Sequence, residues 1–376
     1  MVSLNHIRYN VPGILLSVNE GGNSVKHYAS GFSHVEDKTP MMTGLLFQCG
    51  VITRLFTMGI LLRLVDKGAF DLDDPLEWVA AQHKQDRGLL NIVVSEYPFL
   101  KPVTVRELLG NTSGLPAFDK TIAYNEIFVS RPRKIWQIEN YLDVISGVDV
   151  RYQRGYEPGV RGYYSNSATN YFIAGLVIEA VSGIKTSENM RNLFQEFRMK
   201  NTYYFPYGVM ETTLKSRMMH GYLPISHPFA SAFERLPQVT YNDNKELRAY
   251  DVTGQYTVNG MSNSASVSTT TDLIDWLKQL LNCKVVINNY RQMVTPVAVK
   301  KYSEGENNYC FGFYKTRRKD YGEIIWTAGN ALGYSVLLAH ALNKAITFAL
   351  VVNVSREYVS LQIDGLVADV LQQLLN

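Results

Sequence analysis

The stretch CGVITRLFT at residues 49–57 opens a long apolar run in the first quarter of the chain. From Thr53 to Val65 the apolar side chains are too dense for a surface helix, which predicts a helix buried on most sides. Gly68 ends this helix, and the turn-rich DLDDP at 71–75 follows it. The sequence therefore predicts a buried helix near the N-terminus that is entered through CGV.

Strand-like segments lie near both ends of the chain. GILLSV (13–18) and VKHYASGF (25–32) are joined by the turn-rich NEGGNS, which predicts a hairpin. GYSVLLAHAL (333–342) and AITFALVVNV (345–354) predict a second strand pair, and an amphipathic pattern over 359–375 predicts a closing helix. We expect an α/β (α+β) fold in which one antiparallel sheet is built from both termini, flanked by helices, and carries a mainly helical insertion.

The middle of the chain reads as helices separated by loops. We expect one domain over residues 1–376. Residues 1–75 and 262–376 are predicted to form its α/β lobe, and residues 76–261 a mainly helical and irregular lobe. Three further helices are predicted from caps and apolar periodicity, at 104–109 with Thr104 as N-cap, at 168–183 with a C-terminal glycine, and at 268–281.

Composition excludes several classes of protein. The 376 residues are 46% hydrophobic and 19% charged with a net charge of +3, which is globular and lacks the basic stripe of a nucleic-acid-binding protein. Three cysteines and seven histidines show no metal-ligand spacing, so we expect neither a metal nor a cofactor. No apolar run reaches the roughly 18 residues of a membrane span, and the N-terminus lacks signal-peptide features. We expect a cytoplasmic protein, although removal of a leader would leave the same sequence.

Seven segments, in the same order along the chain, resemble the serine β-lactamase and penicillin-binding-protein superfamily, in particular its class C β-lactamase and esterase branch. Each segment alone is a weak signal, but their shared order over roughly residues 12–375 is a strong one. The segments are DKGAFDLDDPLEWV (66–79), VTVRELLGNTSGLPAF (103–118), YEPGVRGYYSN (156–166), SVSTTTDLIDWLKQLL (266–281), FGFY (311–314), TAGNALGYSVLLAH (327–340) and LVVNV (350–354). Of these, FGFY and TAGNALGYSVLLAH resemble the strands around the third active-site motif of the family.

The resemblance implies three active-site motifs, of which the first is Ser-x-x-Lys at the start of the buried helix. In that motif the serine attacks a carbonyl and the lysine takes the serine proton. The corresponding positions are Val51 and Arg54. Val51 carries only methyl groups, and the pKa of Arg54, above about 12, excludes it as a base at neutral pH. Both members of the nucleophile and base pair are therefore missing from the expected positions.

The second motif, Tyr-x-Asn, is found as Tyr164-Ser165-Asn166. The spacing to the next helix also allows a register in which Asn166 comes first. In the Tyr164 register, a nearby Arg54 would favour the phenolate and lower the pKa of the tyrosine, which makes Tyr164 a candidate general base.

The third motif, Lys or His followed by Thr, Ser or Gly and then Gly, falls on Thr327-Ala328-Gly329. A one-residue gap would place Trp326 at the first position, and neither residue is a cation. The resemblance implies an oxyanion hole formed by the main-chain N–H groups of Val51 and Asn330, which can hold a carbonyl or a carboxylate. The predicted ligand-binding residues are Val51, Arg54, Asn166, Thr327, Gly329 and Asn330.

Two other candidate nucleophiles are interpreted as structural. Ser182-Gly183-Ile184-Lys185 matches Ser-x-x-Lys literally, but it follows a helix end at which Gly183 is the cap. Cys49 lies two residues before the position of the missing serine, so its side chain points elsewhere and we expect a buried, inert thiol.

Three hypotheses about function remain open. In the first, the protein is a non-hydrolytic homologue that uses the cleft to bind a partner or a small or peptide-like ligand with a carbonyl or carboxylate. In the second, Tyr164 and Arg54 perform non-covalent acid/base chemistry, as in an isomerase, cyclase or lyase. In the third, the protein is an amide or ester hydrolase with a nucleophile outside the motif positions. The missing dyad favours the first.

Overall fold

The structure is a computed structural model that describes residues 4–83, 89–132, 134–147, 161–207, 210–241, 248–253, 260–302, 305–319, 322–355 and 360–375. The described strands are β1 Gly13–Glu20, β2 Lys26–His34, β3 Thr39–Pro40, β4 Phe47–Gln48, β5 Tyr203–Tyr204, β6 Tyr222–Pro224, β7 Gln238–Thr240, β8 Arg248–Asp251, β9 Ser266–Ser268, β10 Ala298–Tyr302, β11 Gly305–Tyr309, β12 Tyr314–Arg318, β13 Gly322–Ala331, β14 Tyr334–Ala341 and β15 Ile346–Val352.

The described α-helices are α1 Thr53–Asp66, α2 Leu76–Gln82, α3 Leu89–Glu96, α4 Val105–Gly110, α5 Ile122–Ser130, α6 Ile138–Ser146, α7 Ala168–Ser182, α8 Thr186–Glu196, α9 Thr212–Lys215, α10 Thr270–Leu281, α11 Tyr290–Val294 and α12 Ser360–Leu375. A 3₁₀ turn at Gly50–Ile52 leads directly into α1.

A nine-stranded sheet joins the two ends of the chain, as the sequence predicts. Its strand order is β10-β11-β12-β13-β14-β15-β1-β2-β3. Ile14 of β1 lies opposite Val352 of β15 on one side and Ser30 of β2 on the other, both in antiparallel register. Two three-stranded sheets, β4-β9-β5 and β6-β8-β7, accompany it. The predicted fold class, with one sheet built from both termini, is therefore confirmed.

Strand β1 separates two hydrophobic cores. Leu15 belongs to the core that contains Leu55 of α1. Ile14 and Leu16 belong to the other core, which contains Leu366 of α12. Because successive side chains of a strand point to opposite faces, both faces of this sheet are covered. This double burial explains why GILLSV is apolar at nearly every position instead of alternating with polar residues.

Helix α1 lies at the centre of the larger core. Its first ten residues are all buried, which confirms the prediction of a helix enclosed on most sides. Phe56 contacts the rings of Phe194 and Trp276 at centroid distances of 5.1 and 5.2 Å. Gly59 packs against Trp276, where an added Cβ would lie 3.0 Å from the indole. The dense run of apolar residues in the sequence thus forms a helix that packs against neighbouring elements on several sides.

The predicted helix caps are present. Thr104 forms a reciprocal capping box with Glu107 at the start of α4. Gly183 ends α7 with a φ of 74°, in the left-handed region that glycine adopts without a steric cost. Thr269 caps α10 by accepting a hydrogen bond from the N–H of Asp272. Such local signals depend on a few neighbouring residues, so they are readable from the sequence.

One strand prediction is wrong. The segment FGFY (311–314), expected to be strand-like by resemblance, is a bend, and β12 begins only at Tyr314. Gly312 has a φ of +82°, and an added Cβ there would lie 3.2 Å from Leu55 and 3.4 Å from the hydroxyl of Tyr171. The chain turns at this point because it packs closely against α1 and α7.

Two expectations stay predictions. The described part of residues 76–261 holds α2–α9, together with four strands of only two to four residues each. This content agrees with the mainly helical lobe expected there, but the division into lobes is not otherwise tested. None of the helices in the described ranges has the length and apolar composition that crossing a bilayer requires. The expected cytoplasmic location remains a prediction.

Candidate functional site

The turn that carries Val51 lies directly against strand β13. Gly50 has a φ of +53°, and a Cβ added to it would lie 2.3 Å from the carbonyl oxygen of Asn330. A Cβ added to Gly329 would lie 1.9 Å from the carbonyl oxygen of Cys49. Only glycine allows the two main chains to approach this closely. The fold therefore brings Val51 and Asn330 together, as the resemblance implies.

A cavity of about 260 Å³ opens at this junction. Its wall combines residues from the predicted helical lobe with residues from the predicted α/β lobe. The lining combines aromatic side chains with polar side chains and with the main chain of the turn and of β13. The lining residues are Gly50, Val51, Phe118, Asp119, Lys120, Tyr124, Phe128, His227, Pro228, Phe229, Asn263, Ser264, Asn330, Ala331, Leu332 and Ser355.

Arg54 lies behind the cavity wall and is held by two amide groups. Its Nε donates to Oδ1 of Asn263 at 2.8 Å, and its Nη1 donates to Oδ1 of Asn166 at 2.7 Å. Its guanidinium carbon lies 4.9 Å from the ring centroid of Tyr171. Arg54 is only 5% exposed and forms no ion pair with any residue in the described ranges. In the described part of the chain no carboxylate pairs with this buried charge, which lies behind Asn263 of the cavity wall.

The contact between Arg54 and Asn166 favours the register of the second motif that begins with Tyr164. In this register the asparagine side chain reaches the position that the first motif assigns to a cation. The preceding part of the resembling segment, residues 156–160, lies outside the described residues.

The expected lowering of the Tyr164 pKa is wrong. Burial raises the pKa of Tyr164 well above its usual value, and Tyr309 and Tyr314 raise it further. Arg54 acts in the opposite direction, but its effect is smaller. The hydroxyl of Tyr164 is hydrogen-bonded to that of Tyr314 at 2.5 Å, and its ring packs 4.8 Å from that of Tyr309. Tyr164 is therefore a protonated member of a tyrosine cluster, and the proposal that its phenolate acts as a general base loses its support.

The geometry of strand β13 bears on whether Thr327 or Trp326 corresponds to the first position of the third motif. Gly329 faces the turn before α1, and side chains alternate along a strand, so Thr327 shares its face. Trp326 lines a different cavity, of about 360 Å³, together with aliphatic residues of β15 and α12. Thr327 is buried, with 5% exposure, and does not belong to the lining of the cleft cavity. The register without a gap is thus the one that matches the geometry.

The candidate nucleophiles outside the motif are held in structural roles. Cys49 is fully buried, and this burial raises the pKa of its thiol well above the usual value. The hydroxyl of Thr53 donates to the carbonyl of Gly50 at 2.8 Å and accepts from the N–H of Ser266 at 3.1 Å. The hydroxyl of Ser182 donates to the carbonyl of Ile178 at 2.7 Å. These contacts satisfy main-chain groups and agree with the structural interpretation.

Several cavity residues escaped the sequence analysis. Asn263 both lines the cavity and orients Arg54, although the two residues are far apart in the chain. Lys120, Phe128 and Phe229 lie in loops, short turns or a short helix without a motif of their own. Segment 103–118 ends just before Lys120, so the resemblance stopped two residues short of the cation.

The arrangement is chemically suited to holding a ligand with an apolar group and a negatively polarised end. Phe118, Tyr124, Phe128 and Phe229 offer ring surfaces that can bury an apolar group. Lys120 and the amide of Asn263 also line the cavity and offer donors, and the Arg54 charge behind Asn263 adds a favourable potential.

Comparisons with known proteins support the family resemblance. The family model described as Beta-lactamase matches residues 4–370. Penicillin-binding protein 4* of Bacillus subtilis (strain 168) is 26% identical over 341 residues, which cover 87% of this chain but only 65% of that protein. The chain therefore spans less than two thirds of the length of this relative.

Two solved structures share the fold over almost the whole chain. D-amino acid amidase from Ochrobactrum anthropi SV3, complexed with L-phenylalanine, has a TM-score of 0.73 at 20% identity, covering 98% of this chain and 96% of that one. A penicillin binding protein from Bacillus halodurans has a TM-score of 0.69 at 18% identity, covering 96% of this chain and 98% of that one. At these identities the likeness shows the shared fold.

Proposed function

The chain belongs to the β-lactamase family, and we propose that its cleft binds a small or peptide-like ligand with a carbonyl or carboxylate without forming an acyl-enzyme. The observation that carries this proposal is the state of Arg54. Two amide oxygens hold its guanidinium in the position that the family motif gives to the lysine base. An arginine stays protonated at neutral pH, so it can attract an anion but cannot activate a nucleophile.

The cavity supports a ligand that carries an aromatic group. Its four aromatic lining side chains bury ring surface, and Lys120 lies in the same short 3₁₀ turn as Phe118. A structural neighbour, the D-amino acid amidase, has been solved in complex with L-phenylalanine and with D-phenylalanine. An N-acylated phenylalanine, with an apolar ring and a carboxylate, is therefore the probe that best matches the chemistry of this cavity.

The acid/base alternative receives less support. It requires an ionised Tyr164, whereas burial and the neighbouring tyrosines keep its proton in place. The hydrolase alternative requires a nucleophile, and the described hydroxyls of the cavity wall are those of Tyr124, Ser264 and Ser355. The hydroxyl of Ser355 accepts a hydrogen bond from the N–H of Gly333 and is 4% exposed, which suits a structural role.

Calorimetric titration with the two enantiomers of N-acetyl-phenylalanine and with the corresponding amides tests the proposal. We expect binding of at least one acid, and weaker binding of its uncharged amide. Lys120→Met should weaken binding of the acid about tenfold, equivalent to about 1.4 kcal/mol, and change binding of the amide little. Lys101→Met, which removes an exposed lysine paired with Glu77, is the matched control and should change neither affinity.

Covalent probes separate the proposal from the hydrolase alternative. After incubation with a fluorescent penicillin or a fluorophosphonate, the intact mass of the protein should remain unchanged. A stoichiometric adduct would show that a nucleophile is active and would overturn the proposal. Absence of both an adduct and any binding of the phenylalanine probes would also reject it, because the aromatic cavity would then not select this ligand class.

A further inference from the structure

Two histidines and an aspartate from separate parts of the chain meet where the large sheet borders a small one. His34 ends β2 of the nine-stranded sheet, His220 lies just before β6, and Asp251 ends β8 of the three-stranded sheet β6-β8-β7. One possible ligand atom from each of the three residues lies within 4.8 Å of the others. No spacing in the sequence connects them, so only the fold brings them together.

Two more carboxylates complete the cluster. Nδ1 of His220 lies 2.6 Å from Oδ2 of Asp251. Nδ1 of His34 lies 2.7 Å from Oδ2 of Asp37, and its Nε2 lies 3.3 Å from Oε2 of Glu36. The side chains of His34, His220 and Asp251 are 24%, 32% and 26% exposed, so the cluster lies at the surface but is not fully open. Such a mixture of imidazole and carboxylate is what a divalent transition metal binds.

Surrounding groups hold the carboxylates in place. The N–H of Thr253 donates to Oδ1 of Asp251 at 2.9 Å and leaves Oδ2 facing His220. The hydroxyl of Tyr222 donates to Oε2 of Glu36 at 2.9 Å. Hydrogen bonds of this kind orient the ligands in metal sites. The cluster lies outside the cleft, so the ligand site proposed there does not account for them.

We propose that His34, His220 and Asp251 bind a divalent transition-metal ion of the zinc class, with Glu36 as a fourth ligand. The carboxylate of Asp37 then accepts the Nδ1–H of His34, an arrangement that orients a metal-bound imidazole. Metal bonds of about 2.0–2.2 Å place tetrahedral ligand atoms about 3.4 Å apart. Ligand atoms that now lie up to 4.8 Å apart therefore draw together, whereas Nδ1 of His220 and Oδ2 of Asp251, now 2.6 Å apart, separate. The imidazole rings of His34 and His220 stack with centroids 3.8 Å apart, so one of them turns about its Cβ–Cγ bond when the metal binds.

The location indicates what the ion does and how it enters. A groove of about 480 Å³, lined by Glu36, His220 and Asp251 among others, leads to the cluster. An ion bound by His34 and Asp251 links the end of β2 to the end of β8, and thus ties the large sheet to the small one. None of the residues lining this groove lines the cleft cavity, so this inference is independent of the proposed ligand site.

The test uses the full chain, stripped with a chelator and titrated with Zn²⁺ by calorimetry. We expect one equivalent bound and a raised thermal midpoint. His220→Gln and Asp251→Asn should each weaken Zn²⁺ binding at least tenfold and remove the rise in midpoint. His83→Gln is the control, because His83 hydrogen-bonds to the carbonyl of Ala69 and lies outside the cluster. The Zn²⁺ affinity of this variant should match that of the parent protein.

A second measurement does not depend on the variants. Co²⁺ added to the stripped parent protein should develop the intense visible absorption of a four-coordinate site, and Zn²⁺ should displace it. Failure of the parent to bind Zn²⁺, or binding that is unchanged in both His220→Gln and Asp251→Asn, would overturn the proposal. The cluster would then be a set of histidine–carboxylate hydrogen bonds only.

Discussion

Replacing Arg54 with methionine tests the central feature of the cleft, the charge held by two amides. Methionine keeps much of the length of the side chain and some contact with the ring of Tyr171. It loses the hydrogen bonds to Asn263 and Asn166. The question is whether these bonds outweigh the cost of burying an uncompensated guanidinium.

The two bonds differ in what their loss costs. Asn263 is 4% exposed, so water does not reach its side-chain oxygen once the guanidinium is gone. The loss of this hydrogen bond from a charged donor therefore costs about 1.5–3 kcal/mol of folding free energy. Asn166 is exposed, so water replaces the guanidinium as its donor, and the loss of this hydrogen bond costs at most about 1 kcal/mol. The lost contact of the cation with Tyr171 contributes up to about 2 kcal/mol. Relief of the desolvation of Arg54 offsets part of this sum. We expect a net destabilisation of about 2–3 kcal/mol.

Urea unfolding provides the measurement, with the midpoint falling at an unchanged slope. Arg63→Met is the matched control on the same helix, because Arg63 pairs with the half-exposed Glu196 and a surface pair contributes only about 0–1 kcal/mol. Combining Arg54→Met with Asn263→Leu should recover part of the loss, since both partners of the buried bond are then apolar. If Arg54→Met lowers the free energy of unfolding no more than Arg63→Met does, the two amides do not stabilise the buried charge, and the interpretation of Arg54 as a held cation is wrong.

Two further predictions concern the turn and the thiols. Burial raises the pKa of Cys310 to about 12 and holds that of Cys49 well above its usual value, so both thiols stay protonated and enclosed at pH 8. A disulfide exchange reagent should therefore titrate one thiol per native chain, that of exposed Cys283, and three after denaturation; modification of a second thiol in the native state would contradict this. Gly329→Ala should destabilise the protein by about 3 kcal/mol or more in urea unfolding, because the new Cβ would lie 1.9 Å from a carbonyl oxygen. Gly22→Ala, where no atom lies within 4 Å of the new Cβ, is the control, and equal costs for the two would refute the close approach.

Much of the fold was readable from the sequence because its signals are local. The buried helix α1 follows from the density of apolar residues, and the hairpin of β1 and β2 follows from two strand-like runs joined by a turn-rich segment. The caps Thr104 and Gly183 depend on neighbours within one turn. The bend at Gly312 was not readable, since it arises where distant helices approach the chain.

The candidate site divides in the same way. Val51 and Arg54 stood out because their residue types conflict with a motif that the flanking segments resemble. The partners of Arg54 did not stand out, because Asn263 lies in a short 3₁₀ turn and its importance arises only from a contact across the fold. The sign of the Tyr164 pKa shift was wrong for a related reason: one favourable charge could be inferred, but the larger effect of burial could not.

The sequence by itself determined the fold class and the principal helices and strands, and it placed Val51 and Arg54 where the family resemblance implies a serine and a lysine. These properties follow from residue types and from periodicity over a few turns. The tertiary structure alone decided which groups hold Arg54, which rings line the cavity, and that His34, His220 and Asp251 meet. Those facts depend on distances between segments far apart in the chain and on how completely water is removed around them, and neither is encoded in local spacing.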